Sequence, residues 1–396
     1  MKRRAAILFD HFGPYHLARL RAAADVCDLL AVEFGSSSDE YAWRRESWSG
    51  FHSKTLCVKG PSSRMSHSFF KSELGEALSR FEPEVVFVPG WSSRGALYSL
   101  EWCLLHRIPA VVMSESTPWD APRSPLGESV KSRLIKLFSS ALVGGRSHSS
   151  YLQRLGMDDS RIFSGYDAVD NAHFLSANPF SGESSPLISR SFLASARFLP
   201  KKNLPLLLEA FALYRRSLTS RGHSPWNLIL LGDGPLKGLL QEKALHLGLG
   251  DSFLMPGFVQ YPDLPNWYSK ASCFVHASTT EQWGLVVNEA MASGLPVLVS
   301  NRCGCAADLV KEGFNGWTFD PDNVTALATM MERISLGGFD LSTMGNRSRE
   351  IISLWGPERF AKGVESCIRV AMEGSLSGRD LTGKTLLRIL NHLRRP

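Results

Sequence analysis

Short runs of unbroken apolar residues recur along this 396-residue chain, and helix-length amphipathic stretches separate them. In the first half the runs are 5–10, 29–34, 85–89, 110–114 and 141–144. In the second they are 191–196, 227–231, 252–255, 273–277 and 296–300. Val, Ile, Leu and Phe without polar alternation are what strands covered on both faces require. Interleaved with helical stretches such as 204–218 and 323–334, they predict an α/β chain of doubly wound parallel sheets.

The length exceeds one ordinary core and fits two domains. The alternation lapses between about 167 and 186, where Asn178-Pro179, Ser181-Gly182 and Ser184-Ser185-Pro186 crowd turn formers together. The boundary is therefore expected near residue 175, giving domains 1–175 and 176–355. Residues 356–396 would follow as a helix running to Met372 and a basic tail. Two Rossmann-like halves facing one another would place a ligand cleft between the C-terminal edges of their sheets.

A composition of 44% apolar and 21% charged residues excludes a disordered chain. The net charge of +6 suits an anionic substrate or membrane surface and does not single out nucleic acid, which is not an expected partner. Lys2-Arg3-Arg4 and the apolar residues after them start like a signal peptide. Asp10 and His11 end that run early, so a buried first strand is the better reading. No stretch approaches the roughly 20 apolar residues of a membrane span. The seven cysteines are scattered, mostly within apolar runs, as reduced thiols are, which predicts a cytoplasmic protein. Cys303-Gly-Cys305 has no second pair or nearby histidine to complete a zinc site and reads as a tight loop.

The chemistry concentrates between Thr279 and Pro296. A buried strand over 273–278 leads into a loop with Glu281. Gly284 then opens a helix of Leu285, Val286 and onward to Glu289, and Gly294 and Pro296 stop it. The free amides of Gly284, Leu285 and Val286 favour an anion at the sheet edge, and glycine lets a phosphate approach the backbone. Two carboxylates bracketing such a pocket can accept hydrogen bonds from vicinal hydroxyls.

This segment resembles the E-x7-E motif of family 4 retaining glycosyltransferases, whose fold is GT-B. The resemblance implies a nucleotide ribose on Glu289, a donor sugar at Glu281, and the diphosphate on the amides between. Arg197-Phe-Leu-Pro-Lys-Lys202-Asn is similar to the family's arginine-to-lysine phosphate clamp, with Asn203 where glycine is usual. Gly232-Asp-Gly234-Pro and Met255-Pro-Gly257-Phe258-Val259 match further landmarks, the second framing the nucleobase. Residues 301–308 resemble the glycine loop near the donor sugar. The likeness covers about 190 to 335. On it, Glu281, Arg197 and Lys202 are the expected catalytic residues. Glu289, Gly284, Leu285, Val286, Phe258, Val259, Gly13 and Gly234 are the expected donor contacts.

The first half departs from the family. Where relatives carry a Gly-Gly loop, this chain has Asp10-His-Phe-Gly13-Pro-Tyr15-His16. His16 is either a ligand contact or a polar residue opening the next helix. Where many relatives have a histidine over the donor sugar, Ser114-Glu115-Ser116-Thr117-Pro-Trp119-Asp120 stands instead. Glu115, Asp120, His16 and Trp91 are the candidate acceptor contacts, with a packed aromatic cap as the other reading of Trp91. Residues 165–174 resemble the family's crossing segment.

The resemblance implies a retaining hexosyltransferase moving sugar from a nucleoside-diphosphate sugar, expected to be a UDP-sugar, to a hydroxyl of a glycan or lipid-linked saccharide, as in cell-surface polysaccharide synthesis. The leaving phosphate would take the acceptor proton, so no protein nucleophile is required. A nucleotide-sugar epimerase or sugar phosphorylase of the same fold and a non-catalytic nucleotide-sugar-binding protein remain alternatives. No cofactor or metal is expected, since Asp320-Pro-Asp322 reads as a turn or helix cap. The tail sets Arg379, Lys384, Arg388, Arg394 and Arg395 against Asp380, with Leu386, Leu387, Ile389, Leu390 and Leu393 between them. Peripheral contact with an anionic membrane, at its inner face, and a helix packed on the first domain are both open readings.

Overall fold

The computed structural model describes residues 2–37, 43, 49–175, 190–374 and 381–393. The chain divides into two compact units, Met1–Val169 with Pro357–Pro396, and Asp170–Gly356. The turn-rich residues 176–189 that suggested the boundary lie outside the described residues.

In the first unit β1 (Arg4–Phe9), β2 (Asp28–Gly35), β3 (His52–Cys57), β4 (Val85–Pro89), β5 (Ala110–Ser114), β6 (Ser140–Val143) and β7 (Ile162–Ser164) form one sheet. Its order is β3-β2-β1-β4-β5-β6-β7, parallel throughout. The unbroken apolar runs serve two cores at once. Ala6, Leu8, Val86 and Val88 point into one core, and Ala5, Ile7, Phe9, Val85 and Phe87 into the other. The helix Pro357–Glu373 closes the second core with Phe360, Val364 and Cys367.

The last helix, Leu381–Leu393, lies on the opposite core, where Leu387 is buried and Leu390 packs beside it. Asn391 Nδ2 donates to Glu101 at 3.1 Å, and Arg133 to Thr382 at 2.9 Å. Of the apolar residues expected against a membrane, Leu387 is turned inward with Leu386 and Leu390 partly covered, while Ile389 faces solvent with Arg388. The packed-helix reading describes this segment. Arg379, Asp380, Arg394 and Arg395 lie outside the described residues.

In the second unit β8 (Ser191–Ser195), β9 (Asn227–Leu231), β10 (Phe253–Gly257), β11 (Cys273–His276), β12 (Val297–Ser300) and β13 (Gly316–Phe319) form a parallel sheet ordered β10-β9-β8-β11-β12-β13. The helices Leu204–Ser220 and Val324–Ser335 pack together on one face. Asn323 caps the second by accepting from the Ala326 amide at 2.9 Å.

Every expected strand is present, and β3, β7 and β13 are additional. All three are edge strands. β3 reads His-Ser-Lys-Thr-Leu-Cys and is largely exposed, as a strand with one open side can be.

Candidate active site

In the second unit the expected residues Arg197, Lys202, Glu281, Gly284, Leu285, Val286 and Glu289 follow the C-terminal ends of β8 and β11, where parallel sheets bind ligands. β11 ends at His276, and the loop after it reaches the helix Leu285–Ala292. Gly284 enters that helix at φ 103°, a backbone conformation that favours glycine. The loop is pinned on two sides. Thr279 N donates to Lys201 O at 2.9 Å, Gly304 N to Glu281 O at 3.1 Å, and Cys305 N to Trp283 O at 3.2 Å. Cys303 and Cys305 are buried cysteines in this clasp.

Glu281 is 9% exposed, and its carboxylate pairs with Lys202. Lys201 Nζ stands 3.6 Å away, His276 Nε2 3.6 Å and Ser278 Oγ 3.4 Å. Burial alone would raise this carboxyl, but the His276 hydrogen bond and the charges of Lys202 and Lys201 hold it well below the usual carboxylate range. An ionised carboxylate with two ammoniums beside it thus lies next to Gly284, and Gly284, Leu285 and Val286 are half-buried. The first amides of a helix have no partner within it. A side chain begun at Gly284 would stand 3.5 Å from both His276 Nε2 and Glu281 Cγ, and 3.7 Å from Cys305 Sγ. Such a site can hold an anion and orient hydroxyls together.

Glu289 is fully buried, and Tyr268 donates its hydroxyl to Glu289 Oε2 at 2.6 Å. Burial, then the charge of Glu289, pushes the Tyr268 phenol well above its ordinary value, while a hydrogen bond with Ser195 opposes. The sequence reading missed Lys201, His276 and Tyr268. Position at a strand end was a usable signal for His276. Tyr268 carried none, since nothing local in the sequence links it to Glu289.

Arg197 lies half-buried on the loop after β8 that also carries Lys202. Asn203 ends that loop in the left-handed conformation, φ 55°, with its amide on Pro321 O at 2.7 Å. The loop rests on the Gly232-Asp-Gly234 turn: Phe198 N donates to Asp233 O at 2.8 Å. A side chain on Gly234 would meet the Phe198 backbone at 2.8 Å, and one on Gly232 would meet Ala196 O at 1.8 Å. Gly234, expected to touch the donor, lets two loops close on each other. Phe258 is exposed and Val259 half-buried just beyond β10. Asp320 and Asp322 both face Arg302 Nη2, at 3.4 and 2.5 Å, and Asp320 accepts from the Asp322 amide at 3.1 Å.

The acceptor candidates belong to the first unit. Gly13 N donates to His16 Nδ1 at 3.1 Å, so His16 caps the helix Pro14–Val26. Burial, then the charges of Arg19 and His11, hold its imidazole well below the ordinary value and neutral. Gly145 and His148 repeat the device at 3.0 Å. Trp91 is buried within the core, so the packed cap describes it and a pocket-lining role does not. Asp120 accepts from Thr117 N at 3.1 Å and pairs with Arg123, holding its own loop. Burial and then Glu115 raise the Asp167 carboxyl well above the ordinary range, against Arg19 4.0 Å away.

Residues 184–350 match the model of the family described as glycosyl transferases group 1. An uncharacterised glycosyltransferase of Methanocaldococcus jannaschii is 29% identical over 147 residues, 37% of this chain and 37% of that protein. The alpha-monoglucosyldiacylglycerol synthase of Streptococcus pneumoniae is 32% identical over 109 residues, 28% of this chain and 24% of that one. The chain thus matches about a third or less of these relatives' length. The structure of Anabaena HepE in complex with UDP superposes with a TM-score of 0.69 at 17% identity, covering 92% of this chain and 98% of that one. The fold is GT-B.

Proposed function

The chain carries the glycosyl transferases group 1 domain on a GT-B fold, and from that we propose a retaining, metal-independent hexosyltransferase. It would move a sugar from a nucleoside-diphosphate sugar, taken here as a UDP-sugar, to a hydroxyl of a glycan or lipid-linked saccharide. Cell-surface polysaccharide synthesis is the setting we propose. The observation that carries this reading is Glu281, held ionised between Lys202, Lys201 and His276 beside the amides of Gly284, Leu285 and Val286.

A diphosphate laid on those amides meets a helix N-terminus and the ammonium of Lys202, with Arg197 on the same loop. Charge developing on the leaving phosphate is stabilised there, in a site whose donors are already in place. Glu281 accepts from donor-sugar hydroxyls, and Glu289, oriented by Tyr268, serves the ribose. The departing phosphate oxygen takes the acceptor proton, so sugar transfers on the face it leaves from and no protein nucleophile is needed. UDP in the complex of a structure of the same fold supports the choice of base, and the glycolipid named for the pneumococcal relative supports an acceptor that carries a lipid.

Incubation with UDP-, GDP- and ADP-sugars, followed by NMR of the released or transferred sugar, tests the reading. Turnover of a UDP-sugar with the donor's anomeric configuration, abolished in Glu281→Ala, is expected. Inverted product overturns retention, and absence of binding to all three donors overturns the proposal.

A further inference from the structure

His276 is 3% exposed at the end of β11, and Phe274 of the same strand stacks near its ring. Its Nε2 lies 3.2 Å from Ser278 Oγ and 3.6 Å from Glu281 Oε2. The charged groups that face it are Glu281 on its own loop and Lys202 and Lys201 from the loop after β8. The Cys305 thiol borders the same space in front of Gly284.

Lys202 has two claims on it. In this structure it is the contact partner of the Glu281 carboxylate. A sugar diphosphate on the Gly284 amides would draw the same ammonium toward its phosphates. Glu281 would then be a buried carboxylate short of its closest cation, which is a costly state. Lys201, 37% exposed and 3.6 Å off, replaces it only in part. Among the described residues, the further group beside Glu281 that can become a cation is His276.

We propose that His276 takes up one proton from solvent when the donor binds, and as an imidazolium becomes the counter-ion of Glu281 while Lys202 turns to the diphosphate. This rests on the donor reading above. Nε2 is the ring nitrogen on the Glu281 side, 3.6 Å from Oε2, so the imidazolium presents an N–H to the carboxylate there whichever nitrogen takes the proton. Without the donor, burial and the two ammoniums hold the imidazole below its ordinary value, against Glu281, and keep it neutral. Two phosphate charges beside it reverse that balance. When the nucleoside diphosphate leaves, Lys202 returns to Glu281 and His276 gives its proton back. His276 is thus a positioning residue, acting on the sugar through Glu281.

Titration calorimetry with UDP-glucose, GDP-mannose and ADP-glucose in turn tests this, at pH about 7 in buffers of differing ionisation enthalpy. The diphosphate of a nucleotide sugar is fully ionised near neutrality, so a heat that varies with the buffer reports protons taken by the protein. Uptake approaching one proton per donor bound is expected, fading at alkaline pH where the ring stays neutral. His276→Gln keeps a donor toward Glu281 but cannot charge. It should bind the same donor with a buffer-independent heat, and its affinity should lose the wild-type fall of up to about tenfold per pH unit. Binding with no buffer dependence in the wild type, or equal uptake in His276→Gln, overturns the inference and leaves the donor site standing. Failure to bind any of the three overturns the donor reading itself.

Discussion

The hydroxyl of Tyr268 reaches Glu289 Oε2 at 2.6 Å, and neither side chain is open to solvent. A buried carboxylate needs such donors, because each one lost leaves an unsatisfied charge. Tyr268→Phe removes the donor and keeps the ring, which meets Phe174 edge-on and lies tilted against Phe274. We expect a loss of about 1–3 kcal/mol in stability. The donor KM should rise about tenfold while kcat changes little, since the ribose is held alike in ground and transition states. A kcat loss with KM unchanged would place Glu289 in the chemical step instead.

The pairing of Glu281 with Lys202 makes the second unit acid-sensitive in a defined direction. The carboxyl is held below its ordinary range in the folded chain. Its contribution is therefore complete above the unfolded value of about 4.3 and is lost as pH falls through the lower folded value. Lys202→Met removes the main opposing charge, so the carboxyl should titrate at higher pH and acid unfolding should begin earlier. Breaking a buried pair from one side costs about 3–5 kcal/mol, and Lys201 and His276 should keep this one near the lower end. Chemical denaturation of both proteins at neutral and acid pH measures it. Equal stability of wild type and Lys202→Met near pH 7 would refute the assignment.

The sequence revealed most where local rules govern. The unbroken runs at Ala5–Leu8 and Val85–Val88 announced strands with a core on each face, and both cores exist. The segment from Glu281 to Gly294 was legible because strand end, glycine entry and helix stop are consecutive in the chain. What stayed hidden depends on residues distant in sequence. Nothing beside Gly234 in the chain announces that the Phe198 backbone lies against it, and nothing beside Trp91 decides between its two readings, which its place in the core does. β3 was missed because its exposed residues carry no apolar run.

Gly232 and Gly238 make a matched test of that packing. At Gly232, φ is +129° and a side chain would collide with Ala196 O, which is backbone and cannot swing aside. Gly232→Ala should therefore push away the loop that carries Arg197 and Lys202, lowering both melting temperature and donor affinity. Gly238 lies in the helix Lys237–His246 with nothing within 4 Å of a new side chain. Gly238→Ala should leave activity intact and stabilise by up to about 1 kcal/mol. Equal tolerance at both sites would show that the clasp between the loops is not needed.

Asp320-Pro-Asp322 has the form of a metal-binding pair, yet both carboxylates face Arg302, and Asp322 lies 2.5 Å from it. The ion pair is exposed and should contribute less than about 1 kcal/mol. Removing it should thus have little effect on folding, which makes Asp322→Ala a clean probe of function. A donor held by Lys202, Arg197 and helix amides has its charge neutralised without a divalent ion. Transfer should then proceed at the same rate with EDTA or with added Mn²⁺, and Asp322→Ala should stay within about twofold of the wild type, an exposed ion pair being worth that little. A rate that rises with Mn²⁺ in the wild type and no longer rises in Asp322→Ala would make this turn a metal site and overturn the metal-independent mechanism.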